Sequence, residues 1–189
     1  MRVITGSARG RRLRELEGME TRPTTDRVKE GLFSALQFEI EGRRVLDLFA
    51  GTGQLGIECL SRGAAEAVFV DRRAEAVRVI RENLRTTELA DRAAVIAGDS
   101  LAYLERRQRF DLIFLDPPYS TGLLEQALAH ITEFDILNPH GIMVAEHPAQ
   151  QRLPALPDPY RLSRTYRYGR IAVTLFRRDG SNVSEEETT

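Results

Sequence analysis

The chain has 189 residues, 42% of them hydrophobic, and a formal net charge of −1. That is enough for one domain with a substantial core, while no apolar run approaches the ~20 residues of a membrane span and Met1-Arg-Val-Ile-Thr-Gly lacks the apolar stretch of a secretory signal. A single cysteine, Cys59, rules out an internal disulfide and fits a reducing cytoplasm; the histidines at 130, 140 and 147 have no metal-ligand spacing, so neither a membrane nor a metal is expected.

Val3 to Leu16 reads as a short hairpin pair around a turn region at Gly6–Gly10. Pro23-Thr-Thr25 opens a helix with Val28, Leu32 and Leu36 on one face. From Arg44 onward strands and helices alternate. Strands are expected at 44–49, 67–71, 93–97, 110–115 and 141–146, and helices at 54–62, 73–86, 99–106 and 122–134, with Gly63 as a helix C-cap. This rhythm predicts an α/β fold with parallel strands, right-handed crossovers and helices on both faces. After Pro148 the pattern changes to two strand-like runs, Tyr160–Tyr168 and Ile171–Arg177, around Gly169. They predict an antiparallel hairpin closing the edge of a mostly parallel, seven-stranded sheet. Residues 1–178 form one domain, with 1–40 an extension and 41–178 the core; the acidic tail 179–189 is expected to be disordered.

Charge is unevenly spread. Residues 1–14 hold five arginines and no acid, and residues 161–178 hold six and no acid. Of 27 basic residues 26 are arginine, a bias that a GC-rich genome would produce, but such a bias does not remove acids from two segments. Basic ends around a neutral core suit phosphate contact, with Arg9, Arg11, Arg12 and Arg22 as candidates.

The run Phe110-Asp-Leu-Ile-Phe-Leu115 ends in Asp116-Pro-Pro-Tyr119. Prolines cannot donate to a sheet and they fix φ, and Pro118 pushes Pro117 into an extended conformation. The rigid turn offers a carboxylate (Asp116), a free carbonyl (Pro117) and a flat ring (Tyr119). Two acceptors beside a stacking platform suit a planar base with an exocyclic amine.

Residues 44–56, Arg-Val-Leu-Asp-Leu-Phe-Ala-Gly-Thr-Gly-Gln-Leu-Gly, run a strand into Gly51, Gly53 and Gly56. The spacing is that of a dinucleotide loop, and Asp71, at the end of Val68-Phe-Val-Asp71, lies 20 residues after Gly51, where a ribose-binding acid is expected. Asp47 argues against NAD. A pyrophosphate on the helix N-terminus has no use for an acid just before the loop, whereas a ligand with an ammonium group does. S-adenosylmethionine has an ammonium, a ribose and an adenine. A purely structural role for Asp47, holding loop amides, is also open.

Together the glycine loop and the Asp-Pro-Pro-Tyr turn resemble the class I S-adenosylmethionine-dependent methyltransferases (Rossmann-like) that act on base amino groups. Arg22-Pro-Thr-Thr-Asp-Arg-Val-Lys-Glu-Gly-Leu-Phe33, Leu46-Asp-Leu-Phe-Ala-Gly-Thr-Gly53 and Leu60-Ser-Arg-Gly-Ala64 are similar to the RsmD family, bacterial enzymes that methylate guanine N2 in small-subunit (16S) ribosomal RNA. Ile4-Thr-Gly-Ser-Ala-Arg-Gly-Arg-Arg-Leu13 resembles the family's basic start and Tyr168-Gly-Arg-Ile-Ala172 its closing hairpin, so the likeness spans about residues 1–178. Asp71 stands where the family more often has Glu.

The resemblance implies S-adenosylmethionine held by Asp47, Gly51, Gly53, Asp71 and Asp99. Asp99, in Ala97-Gly-Asp-Ser100, would accept the adenine amine and also suits a helix N-cap. It implies catalysis by Asp116, Pro117 and Tyr119, with Pro118 and the N-terminal arginines against RNA. The expected partner is ribosomal RNA within a small-subunit (30S) particle, bound by a monomer. Two alternatives remain at this point. A DNA amino-methyltransferase would need a target-recognition insertion that this length does not hold. A non-catalytic assembly factor that binds the cofactor would not need the Asp116 turn.

Overall fold

The structure is a computed structural model and describes residues 1–16, 23–119 and 121–180, with the backbone alone at 23–26. In chain order the elements are α1 (Pro23–Ala35), β1 (Arg44–Asp47), α2 (Gln54–Ser61), β2 (Glu66–Asp71), α3 (Ala74–Thr87), β3 (Ala93–Ala97), α4 (Ser100–Leu104), β4 (Phe110–Leu115), α5 (Leu123–Glu133), β5 (Leu137–Pro148), β6 (Tyr160–Tyr168) and β7 (Ile171–Arg178). The strands form one sheet in the order β3-β2-β1-β4-β5-β7-β6. The first five run parallel, and β7 is antiparallel to both β5 and β6.

Strand alternation sorts the core into two layers. Val45, Leu112, Phe114, Ile142 and Val144 face Phe33 and Leu36 from the α1 region, Ile57 and Leu60 of α2, and Ile80 and Leu84 of α3. Their neighbours Leu46, Val68, Val70, Ile113 and Met143 face Tyr103 and Leu104 of α4 and Leu124, Leu128 and Ile131 of α5. Strands covered on both faces have no polar side, which is why β2 and β4 read as continuous apolar runs. Truncating a fully buried ring such as Phe114 to alanine would cost about 3–5 kcal/mol.

α2 enters through Gly53, whose φ of 79° is the left-handed region that glycine adopts without strain. Gly56 has another reason: a Cβ there would meet the Phe69 ring at 2.3 Å, so the absent side chain lets α2 lie on β2. The helix stops as expected near Gly63. Ala64 N–H donates to the Cys59 carbonyl at 3.0 Å and Gly63 N–H to that of Leu60 at 3.2 Å, which closes the last turn. Cys59 is a small buried core residue.

The N-terminal segment is fastened to the core by one buried acid. Glu58 accepts the backbone N–H of Ile4 at 2.8 Å and of Thr5 at 3.0 Å, binds Arg62 at 2.8 Å and lies 3.6 Å from Lys29. Ser61 adds a hydrogen bond from Ala8 N–H at 2.9 Å. The loop therefore draws its order from α2 as well as from its own pairing. The expected hairpin is present in short form: Arg2 bridges Arg12 antiparallel, Val3 N–H donates to the Arg11 carbonyl at 3.0 Å, Gly10 N–H to that of Val3 at 2.9 Å and Leu13 N–H to that of Met1 at 3.1 Å.

Three further expectations change. β5 begins at Leu137, ahead of the expected 141, because Asn138-Pro-His-Gly141 reads as a turn yet is carried in the strand beside a register shift, with His140 at φ 61°. α4 ends at Leu104, short of the expected 106. Asp179 and Gly180, placed in a disordered tail by composition, continue from β7: Asp179 pairs with Arg161 at 2.6 Å and its N–H donates to the Pro159 carbonyl at 2.9 Å. Residues 181–189 lie outside the described residues.

Candidate active site

In an open α/β sheet the ligand crevice lies at the carboxyl ends of the strands, where the strand order reverses. Here that point is between β1 and β4. Asp47, the Gly51–Gly53 loop, Asp71, Asp99 and Asp116 all stand at or just past such ends. The crossovers gather residues that are up to 69 positions apart in sequence, from 47 to 116.

On the β1 side, Asp47 is buried. Its only hydrogen-bond partner among the described residues is the Gly56 N–H, at 3.1 Å from Oδ2. Burial pushes its carboxyl up to about 7, against the Gly56 hydrogen bond and helped by the charge of Asp71. A buried acid with one amide partner keeps acceptor capacity to offer a ligand. Asp71 differs. Its Oδ2 accepts the Gly51 N–H at 2.9 Å, its Oδ1 the Arg73 N–H at 2.9 Å, and the Arg73 side chain holds both oxygens. Burial alone would raise this carboxyl, but the Arg73 and Gly51 hydrogen bonds and the Arg73 charge outweigh it and keep it below the usual carboxylate range. Asp99 is exposed and is the N-cap of α4: Oδ1 accepts the Ala102 N–H at 2.9 Å.

These acceptors suit the groups of S-adenosylmethionine. Asp47 fits an ammonium, Asp71 fits vicinal hydroxyls where the Arg73 side chain releases its oxygens, and Asp99 fits an exocyclic amine. They do not suit a pyrophosphate, which would meet Asp47. Gly51 leaves the loop face open: a Cβ there would meet only Arg73 Nη2, at 3.9 Å.

On the β4 side, Asp116 lines a small cavity with Lys29, Gln54, Leu55, Phe114 and Glu146. It receives no hydrogen bond from the described residues, and burial, then Glu146, then Asp47 push its carboxyl well above the usual range. Pro117 is buried, Pro118 is exposed, and the Tyr119 ring is 40% exposed, enough to offer a face to a base. Its hydroxyl donates to Glu146 Oε1 at 2.8 Å. Glu146 was not legible as a site residue from the local motif. The available signal was an acid at the carboxyl end of β5, which only the register with β4 makes meaningful.

The arginine candidates separate. Arg9 and Arg12 are exposed on the N-terminal loop. Arg11 is engaged within the protein, donating to the Thr86 carbonyl at 2.6 Å and to Glu88 at 2.8 Å. Arg22 lies outside the described residues. Among the described residues no group of three or more His, Cys, Asp or Glu could hold a metal ion, and no helix is long and apolar enough to cross a membrane.

Known proteins resemble this chain over nearly its whole length. The family model described as Conserved hypothetical protein 95 matches residues 1–177. YlbH of Bacillus subtilis is 42% identical over 184 residues, 95% of this chain and 100% of that protein. Ribosomal RNA small subunit methyltransferase D of Escherichia coli K12 is 32% identical over 188 residues, 99% of this chain and 94% of that protein. Among solved structures, yhhF of Escherichia coli superposes with a TM-score of 0.85 at 33% identity, covering 96% of this chain and 99% of that one. With the family model spanning nearly its whole length, the chain belongs to the Conserved hypothetical protein 95 family, the RsmD family that its motifs resemble.

Proposed function

We propose that this protein methylates the exocyclic N2 amine of a guanine in small-subunit ribosomal RNA. The coarser part of this reading, an RsmD-type rRNA methyltransferase, is supported by family membership and by a relative that matches end to end. The choice of guanine N2 follows the family resemblance, and the choice of an exocyclic amine rests on one observation. Asp116 and the Pro117 carbonyl stand together beside an exposed aromatic ring, at the same strand ends as a cofactor-type acceptor set.

S-adenosylmethionine fits Asp47, Asp71 and Asp99 as described, and when bound supplies a methyl group activated by sulfonium. The chain's own residues prepare the acceptor. The lone pair of a guanine amine is delocalised into the ring, which makes it a poor nucleophile. Asp116 and the Pro117 carbonyl each accept one amine hydrogen, which favours a tetrahedral nitrogen and orients its lone pair. Positive charge then grows on that nitrogen, and the Asp116 carboxylate is already in place to stabilise it. Asp116 Oδ takes the surplus proton, directly or through water. Its upward shift makes it a better proton acceptor than an ordinary carboxylate. Tyr119 stacks on the base, which must be flipped out or unpaired for its amine to be reached.

The test is single-turnover methyl transfer to ribosomal RNA, and to small subunits, from a strain lacking the enzyme, with the product nucleoside mapped by mass. N2-methylguanosine is expected. N6-methyladenosine or N4-methylcytidine would replace this substrate with another.

A further inference from the structure

A second acid stands beside Asp116. Leu115 and Ala145 are paired in the parallel register of β4 and β5, so one residue further on Asp116 and Glu146 are neighbours, and both line the cavity with Phe114 and Val144. Glu146 is half-buried, and its Oε1 accepts the Tyr119 hydroxyl at 2.8 Å. It is thereby tied to the ring that stacks on the base and set beside the acid that holds the amine. Two neighbouring carboxylates in a partly desolvated cleft repel each other, so a purely structural role for the second is a poor use of the position.

A guanine edge explains it. Next to the N2 amine, guanine carries an N1–H donor. Adenine and 2-aminopurine carry a ring-nitrogen lone pair there. A carboxylate beside the one that holds N2 attracts the first and repels the second, which discriminates by both gain and clash. We propose that Glu146 is the guanine-specificity residue: its carboxylate accepts the N1–H of the target base, while the hydrogen bond from Tyr119 fixes where that carboxylate points. This rests on the guanine-N2 reading above.

The experiment compares two substrates and three proteins. A small-subunit RNA fragment carries, at the nucleotide mapped from wild-type product, either guanine or 2-aminopurine; the latter keeps the N2 amine and lacks N1–H. Single-turnover rates are measured for wild type, Glu146→Gln and Glu146→Asp, with calorimetric binding of S-adenosylmethionine as the check that each is folded. Wild type should strongly prefer guanine. Glu146→Gln should lose roughly 10- to 100-fold on guanine, the range for a hydrogen bond to a charged group. On 2-aminopurine, with rates read on the high-pH plateau where Asp116 is ionised in both proteins, it should lose far less than on guanine, so the preference collapses. Glu146→Asp should slow guanine transfer yet keep part of the preference. An equal loss on both substrates would reduce Glu146 to a clamp for Tyr119 and overturn the proposal, as would no loss on either. If wild type makes no N2-methylguanosine at all, the substrate reading itself has failed, and the nucleoside map distinguishes that outcome from the others.

Discussion

Arg73 closes on Asp71 from two directions: its Nε and Nη2 each reach a carboxylate oxygen at 3.1 Å, and its own backbone N–H donates to Oδ1 at 2.9 Å. The same carboxylate takes the Gly51 N–H. The acid suited to a ribose diol is therefore also the clasp of the glycine loop. Asp71→Ala should weaken S-adenosylmethionine binding by about 1–3 kcal/mol and also lower the melting temperature of the ligand-free protein. Arg73→Ala leaves Asp71 its two backbone donors, and the ion pair it removes has a half-exposed guanidinium. Stability should change by less than about 1 kcal/mol, with cofactor binding retained. Calorimetry and thermal melts of both variants separate these outcomes, and equal losses for the two would contradict the assignment.

Asp47 predicts a proton linkage. Its carboxyl is raised to about 7 in the folded protein from an ordinary value of 3.8. The native state therefore holds a proton that the unfolded chain releases between those values, and stability from this group is lost as pH rises from about 4 through 7. The span corresponds to at most roughly 4 kcal/mol. Asp47→Asn should stabilise the ligand-free protein at pH 8 and have little effect at pH 4. Pairing with the cofactor ammonium needs the ionised acid. Wild-type binding should thus tighten from pH 5.5 to 7.5 and release up to one proton at the lower end. Titrations in two buffers of different ionisation enthalpy read that proton directly, and no proton release at pH 6 would remove Asp47 from the ammonium site.

Asp116→Ala should leave cofactor binding intact, since those contacts are on other strand ends. RNA affinity should change little and single-turnover transfer should fall roughly 100-fold or more, because the lost interaction matures as charge develops on the amine. Asp116 is raised by burial and then by Glu146, so the wild-type rate should climb with pH along a limb displaced upward from the ordinary carboxylate range as this carboxyl ionises. Removing the neighbouring charge with Glu146→Gln should move that limb to lower pH. A limb that stays in place would mean another group controls it.

Tyr119 carries two roles that substitution can separate. Tyr119→Ala removes the stack and should weaken base capture by about 1–3 kcal/mol. Tyr119→Phe keeps the ring but leaves Glu146 without its hydroxyl donor, so it should cost about 1 kcal/mol. RNA-fragment binding measured for both variants gives the split. A phenylalanine variant as weak as alanine would place the energy in the hydroxyl rather than the ring.

The arginines should also divide. Arg9, Arg11 and Arg12 are all exposed, but among the described residues Arg11 alone of the three is paired, with Glu88 and the Thr86 carbonyl. Arg9→Ala with Arg12→Ala should lower RNA affinity and flatten its salt dependence by roughly 0.7–0.9 in slope per lost phosphate contact. Arg11→Ala should flatten it less. Binding isotherms across salt concentrations test this, and unchanged slopes in the double variant would leave the arginines as composition only.

The sequence by itself determined the fold class and marked most residues of the candidate site. Hydrophobic runs at regular spacing, with Gly51, Gly53 and Gly56 after the first of them, are local properties. So are the Asp116-Pro-Pro-Tyr119 turn and the acids that end β1 and β2. Such features are set by neighbours in the chain, and periodicity and backbone constraint make them legible. What only the tertiary structure decided involves pairs distant in sequence. Glu146 meets Tyr119 and Asp116 because β4 and β5 are in register. Arg11 pairs with Glu88, 77 residues away, and the buried Glu58 pins the short N-terminal hairpin to α2. Composition counts charges, but it cannot say which of them have already found a partner. That depends on packing across the sheet.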